Sequence, residues 1–278
     1  MSGRLALHAC LLLGAVAWLL PLYVVVATAL KPFDEVLHGS LLSLPSNPTL
    51  TPTLQAWSSA CIGTECGGLQ RGFLNSLRMA APAAAISVCL GAVNGYALTK
   101  WRLPYAHALF ALLLAANVLP YQLVLLPVAV LLRGLGLFGT TEGLILVHVA
   151  YGMPYVTLLF RNFYLGVPDE IIAAARIDGG RFWSIFLHVV LPLSPPMIAV
   201  AAALQFSAIW NDYLFGLIFG GRAAPVTVML NNLVNGGLGG REYNVNMAGL
   251  LITAAPALLV YLLAGRWLVR GLTAGALR

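Results

Sequence analysis

Apolar residues run along this chain in long stretches almost free of Lys, Arg, Asp and Glu, without the alternation of a half-buried strand or the three-to-four spacing of a surface helix. Six such stretches occur: residues 5–30; 73–99, with Arg78 near its start; 103–132; 137–160; 188–219, through Pro192 and Pro196; and 247–265. Crossing a bilayer takes roughly 20 predominantly apolar residues. The pattern therefore predicts an all-α, integral membrane protein of about six transmembrane helices, residues 1–278 forming one domain.

Composition agrees. Hydrophobic residues make up 60% of the 278 positions and charged residues 9%, with a mean hydropathy of +0.89, whereas soluble domains carry roughly 25% charged residues. The formal net charge of +6 could suggest nucleic acid. Its cations are scattered over loops, however, and form no basic face.

With the N-terminus inside, Arg4, Lys100, Arg102, Arg161, Arg176, Arg181, Arg266, Arg270 and Arg278 are cytoplasmic. Lys31, Arg71, Arg78, Arg133, Arg222 and Arg241 are external. The bias has the positive-inside sense. Ala27, Thr28 and Ala29 would suit signal cleavage, but the apolar run before them exceeds a signal core of about 7–15 residues, so it is read as a retained helix. Cys10 and Cys89 fall inside apolar spans and are expected to be packed. Cys61 and Cys66 share the first external loop, where a disulfide or two free thiols are both open.

Several chemistries lack their residues. A phosphate-cradling GxxxxGK[ST] loop is missing, since neither Lys31 nor Lys100 follows a glycine. No HExxH or GxSxG occurs, and the five histidines have no metal-ligand spacing. No catalytic or metal-ligating set, and no bound cofactor, is expected. Glu142 and Asp212 are the acids nearest the membrane interior, too few for a proton relay. An ion-coupled secondary transporter and an intramembrane enzyme are therefore the weaker alternatives, and energy is expected from a partner.

Residues 161–190 form the longest cytoplasmic segment, and they read as helix, turn, helix. Pro168 suits a helix start, and Asp169 and Glu170 complement the helix dipole. Ile171, Ala174 and Ala175 share a face that can approach another protein closely. Asp178, Gly179 and Gly180 end the helix, glycine accepting the positive φ of a C-terminal cap.

The run from Pro168 to Gly180, closed by Leu191 and Pro192, resembles the EAA loop of binding-protein-dependent ABC importer permeases. In that family the loop is the coupling helix that docks on the ATPase. The resemblance assigns ATPase coupling to Glu170, Ala173, Ala174, Ala175, Asp178, Gly179 and Gly180. Ala173 stands where the motif has its first glutamate, and Glu170, one turn earlier, is the expected substitute.

Residues 270–275 read RGLTAG, similar to the tail of the maltose-type subfamily. With Trp210, Asn211, Asp212 and Tyr213, this implies a carbohydrate permease of the cytoplasmic membrane, glucose or mannose importers being the nearest in pattern. The same importer carrying a non-sugar solute is the alternative. The resemblance further implies a second permease subunit, two ABC ATPase subunits that use the ATP, and an external sugar-binding protein. Asn211, Asp212 and Tyr213 are candidates for the sugar path or for an interfacial belt with a capped helix end. The external stretch containing Asn231, Asn232 and Asn235 corresponds to the loop that meets the binding protein.

Overall fold

The structure is a computed structural model that describes residues 2–63, 65–101, 103–236 and 242–276. Arg102, Arg241 and Arg278 lie outside the described residues, as do the side chains of Arg266 and residues 268–276, the tail motif among them.

In chain order the elements are α1 (Ser2–Ala29), α2 (Phe33–His38), α3 (Thr51–Ser58), β1 (Cys61–Ile62), β2 (Glu65–Cys66), α4 (Gln70–Lys100), α5 (Ala106–Val118) and α6 (Leu125–Gly134). They continue with α7 (Thr141–Leu165), α8 (Asp169–Ile177), α9 (Phe182–Leu193, π-helical over Phe186–Val190), α10 (Pro195–Trp210), α11 (Leu214–Phe219), α12 (Val226–Asn235) and α13 (Tyr243–Ala276). Among the described residues, four helices are each long and apolar enough to cross a membrane: α1, α4, α7 and α13.

The third and fifth expected spans are not straight. Ala106–Val118 meets Tyr121–Gly134 at 93°, and α9 meets α10 at 81°. Proline is the cause at both. Pro120 forces Leu119 into an extended conformation, φ −62° and ψ 126°. Pro195 and Pro196 remove two consecutive donors after Ser194. Ser194 is itself fully buried, donating to Val190 O at 2.6 Å and lying 3.0 Å from the Tyr164 hydroxyl of α7. The elbow is thereby fastened to α7. The fifth stretch also stops at Trp210, the residues to Phe219 forming the separate α11.

The chain divides into two compact units. One comprises the chain up to Leu74 with Val226–Pro256. Here Ala29, Ala56, Val245 and Ala248 form a small core. Lys31 is 1% exposed, its ammonium donating to Ser40 O at 2.9 Å and Ser43 Oγ at 3.0 Å, while Asn244 donates to Lys31 O at 3.1 Å. Cys61 and Cys66 are joined as a disulfide across the two-residue strands β1 and β2.

The other unit comprises Asn75–Pro225 with the chain from Ala257 on. Its core gathers Val88, Ala92 and Tyr96 of α4, Val156, Phe160 and Tyr164 of α7, Ile172 of α8, Ile185, Phe186 and Val190 of α9, and Ala201 of α10. Gly91 and Gly95, four residues apart on α4, let that helix lie directly on α7. A Cβ at Gly91 would come within 2.5 Å of Val156 Cγ1. Such spacing of small residues is how membrane helices reach close packing without a hydrophobic driving force between them.

Many large apolar side chains point outward, among them Trp18 at 86% and Leu12 at 68% exposure. In water they would be an aggregation hazard, whereas lipid or a partner helix accepts them. Cys10 and Cys89 correct the expectation of packing. Both are exposed, because a lipid-facing helix surface need not be polar.

Candidate functional site

The site is built where α7 gives way to α8. Pro168, with φ −58°, opens α8 and places Asp169 and Glu170 in its first turn. At the other end the amide of Asp178 donates to Ala174 O at 3.0 Å and that of Gly180 to Ala175 O at 2.9 Å. Gly179 adopts φ +82°, a conformation that only glycine enters cheaply. Gly180 is needed for space: a Cβ there would lie 2.5 Å from Ala175 O and 2.9 Å from Ile185 Cγ1.

One face of α8 looks inward. Ile172 is 3% exposed and Ala175 half-buried against the same core. This corrects the expected grouping of Ile171, Ala174 and Ala175: three residues on from Ile172, Ala175 belongs to the inner face. The outward face carries Glu170, Ile171, Ala173, Ala174, Ile177 and Asp178. On it Ile177 is 86% exposed, and nearby on α9 Trp183 is 58% exposed. Together they make a small-residue surface bordered by large apolar side chains.

Beneath α8 lies a lattice of rings. Phe182 is 4.9 Å from Tyr96 and 5.2 Å from Trp101, and Phe186 is 5.6 Å from Tyr96, centroid to centroid. Two cations from different elements bracket the helix. Lys100, its side chain 5% exposed, donates at 2.6 Å both to Asp169 Oδ1 and to Val167 O. Arg176 donates to the carbonyl of Lys100 and rests over the Trp101 ring, 4.9 Å from its centroid. The hydrogen bond from Lys100, reinforced by its charge, holds the Asp169 carboxyl below the usual carboxylate range. Glu170 has no such partner among the described residues. The first turn thus divides its two acids: Asp169 is paired with Lys100 although its own side chain is 86% exposed, and Glu170 is unpaired among the described residues.

The other candidates lie elsewhere. Asn211 donates to Ser207 O at 2.9 Å, closing α10, and Asp212 accepts from the Gly216 amide at 3.2 Å at the start of α11. Two of the three sugar-path candidates are thus engaged at helix ends. Asp212 also lies 3.9 Å from His148 Nε2, beside a group of rings in which Phe215 is 5.1 Å from Tyr151 and 5.5 Å from Tyr121. Asn231, Asn232 and Asn235 sit in the other unit on the helix α12, not in an irregular loop, and Asn235 donates to Asn231 O and Oδ1 at 3.0 Å. The structure therefore gathers Glu170, Ala173, Ala174 and Asp178 into one surface, with Ala175 turned to the core and Gly179 and Gly180 closing the helix. Sequence reasoning passed over Lys100, Trp101 and Arg176 as functional residues; nothing in their spacing announces that the first two meet α8 and its Arg176.

Residues 75–274 match the family model described as binding-protein-dependent transport system inner membrane component. A probable ABC transporter permease protein of Pyrococcus horikoshii is 45% identical over 62% of this chain and 63% of its own length, just under two thirds. The osmoprotective compounds uptake permease of Synechocystis is 34% identical over 99% of this chain and 92% of its own. The alpha-glucoside transport system permease of Rhizobium meliloti is 37% identical over 76% and 57%. Among solved structures, a bacterial ABC transporter involved in the import of the acidic polysaccharide alginate superposes with a TM-score of 0.80 at 18% identity, covering 96% of this chain and 97% of that one. That last likeness speaks for the fold.

Proposed function

This chain belongs to the family of binding-protein-dependent transport system inner membrane components, and from that premise we propose that it is the membrane-spanning subunit of an ATP-driven sugar importer, with α8 as its docking surface for a separate ATPase. The observation that carries the reading is the division of α8 into two faces. Ile172 is sunk in the core, while Glu170, Ile171, Ala173, Ala174 and Ile177 are exposed among the described residues. A helix so exposed, yet anchored by buried side chains and two cations, suits transmitting a push.

Work done on that face reaches the spans because Ile172 shares a core with α4, α7, α9 and α10. The chain itself performs no bond chemistry: ATP is bound and hydrolysed on partner subunits, and solute passes by alternating access against a second permease. Glu170 supplies the carboxylate that Ala173 lacks, since Asp169 is already spent on Lys100. Asn231, Asn232 and Asn235 contribute to contact with an external solute-binding protein. Asn211, Asp212 and Tyr213 border the path, the first two chiefly as helix caps.

A sugar is the favoured solute because the Rhizobium relative carries alpha-glucosides in its name. The Synechocystis relative, named for osmoprotective compounds, keeps a non-sugar solute as a second reading. The deciding experiment co-expresses the chain with its ATPase, partner permease and binding protein and follows both assembly and uptake of labelled sugars. ATPase co-purification that Ala174→Trp abolishes, together with uptake of a glucoside, is the expected result. Uptake without any ATPase would overturn the importer reading, and uptake of a non-sugar osmolyte alone would overturn the sugar.

A further inference from the structure

We infer that α4 is the element through which motion of α8 enters the membrane, and that Lys100 and Arg176 are the positioning residues that fasten the two. The inference rests on the reading of α8 as the ATPase-docking helix and goes beyond it. Docking concerns the outer face of α8; this concerns what its other side and its two ends hold.

In the chain, α8 follows α7 and precedes α9, so the covalent routes for a push run to those helices. The core under Ile172 is shared with several helices, but the polar ties of the two ends run to the end of α4. Lys100, the last residue of α4, reaches the N-terminal end of α8 through Asp169 Oδ1 and the adjoining carbonyl of Val167, all at 2.6 Å. Arg176, in the last turn of α8, returns to the same place, donating to the Lys100 carbonyl and covering Trp101. The two ends of a nine-residue helix are thus pinned to two consecutive residues.

A helix pinned at one end could pivot. One pinned at both ends near a common point must carry that point with it. Between the pins, Tyr96 of α4 packs on Phe182 and Phe186, so the junction is also filled. The Lys100 ammonium is almost wholly out of solvent, and a charge held there without its partners is costly. Separation of α8 from α4 is therefore resisted. Movement then passes along α4 to α7 at the glycine seam, Gly91 on Val156 and Gly95 on Phe160, where the backbones have no slack to absorb it.

The test uses the complete transporter, with ATPase, partner permease and binding protein, reconstituted in proteoliposomes. Lys100→Met keeps the length of the side chain and removes its charge; Arg176→Gln removes the ring contact and shortens the reach. Both are expected to retain ATPase co-purification, because the Lys100 side chain is buried and that of Arg176, though exposed, is engaged with the Lys100 carbonyl and the Trp101 ring. Solute moved per ATP hydrolysed should fall by about 2- to 30-fold. Lys100→Met combined with Asp169→Asn should be no worse than Lys100→Met alone, and Lys100→Arg should restore most of the ratio. An unchanged ratio in Lys100→Met and Arg176→Gln, with the complex intact, would overturn the inference and leave the docking reading standing. Loss of the ATPase in both would make them docking residues and overturn it as well. Failure of the wild-type chain to bind any ATPase would remove the docking reading and this inference together.

Discussion

Gly95 of α4 lies so close to Phe160 of α7 that a Cβ added there would stand 2.7 Å from Phe160 Cβ and 2.8 Å from the backbone nitrogen of Arg161. The second atom belongs to a helix backbone and cannot turn aside. Gly95→Val is therefore expected to destabilise the chain by about 1–3 kcal/mol, the usual cost of overpacking. Gly14→Ala is the control, since nothing lies within 4 Å of a Cβ at that position. Thermal unfolding in detergent should show a lower midpoint for the first substitution and none for the second.

Gly179 invites a smaller change. Its φ of +82° would force an alanine into the left-handed region, at a cost of roughly 1–2 kcal/mol. No neighbour lies within 4 Å of its would-be Cβ, so the effect is conformational and local to the end of α8. Gly179→Ala is expected to weaken ATPase association while leaving the global unfolding midpoint nearly unmoved. An equal fall in both would deny the local origin.

The hairpin of β1 and β2 gives a chemical prediction. With Cys61 and Cys66 bonded and Cys10 and Cys89 exposed, a membrane-permeant thiol reagent should label the chain twice without reductant and four times after reduction. Fourfold labelling before reduction would contradict the pairing. Replacing both Cys61 and Cys66 by serine should cost about 2 kcal/mol, as expected for so short a closed loop.

Asp169 sets a pH dependence by its sign. Its carboxyl is held below the usual range by Lys100, so its contribution is complete above the unfolded-state value and is lost only as the pH falls through the lower, folded-state value. Between about pH 5 and 8, well above any carboxylate in that range, the ratio of transport to ATP hydrolysis should be insensitive to this pair. A wild-type ratio that falls between about pH 8 and 5, with the fall absent in Asp169→Asn, would refute the assignment.

The fold was legible as far as hydropathy reaches. Six apolar stretches became four whole helices and two bent pairs, because counting apolar residues cannot see the angle imposed by Pro120 or by Pro195 and Pro196. The seam at Gly91 and Gly95 was present as a G-x-x-x-G spacing and went unread, since glycine in an apolar run looks neutral until a partner helix is known. Glu170, Ala173 and Ala174 were legible because helical periodicity and a familiar motif act within one segment. Lys100 and Arg176 were not: their partners lie 69 and 76 residues away, and single-sequence patterns carry no information at that range. Nor could the helical setting of Asn231 and Asn235 be told from a loop, for asparagine is at home in both.

The elbow between α9 and α10 has a consequence for the lipid. Helix α10 has 16 residues, roughly 24 Å at 1.5 Å per residue, and the arm before it turns away by 81°. The hydrocarbon core of a common bilayer is about 30 Å thick, so this crossing is short for its surroundings and invites local thinning, a hydrophobic mismatch costing fractions of a kcal/mol per ångström. Acyl-chain length thus becomes an external variable acting on one helix more than on its straight neighbours. Reconstituted into phosphatidylcholines of increasing chain length, the transporter is expected to slow in the thicker bilayers while its ATPase, which touches no lipid core, keeps its nucleotide affinity.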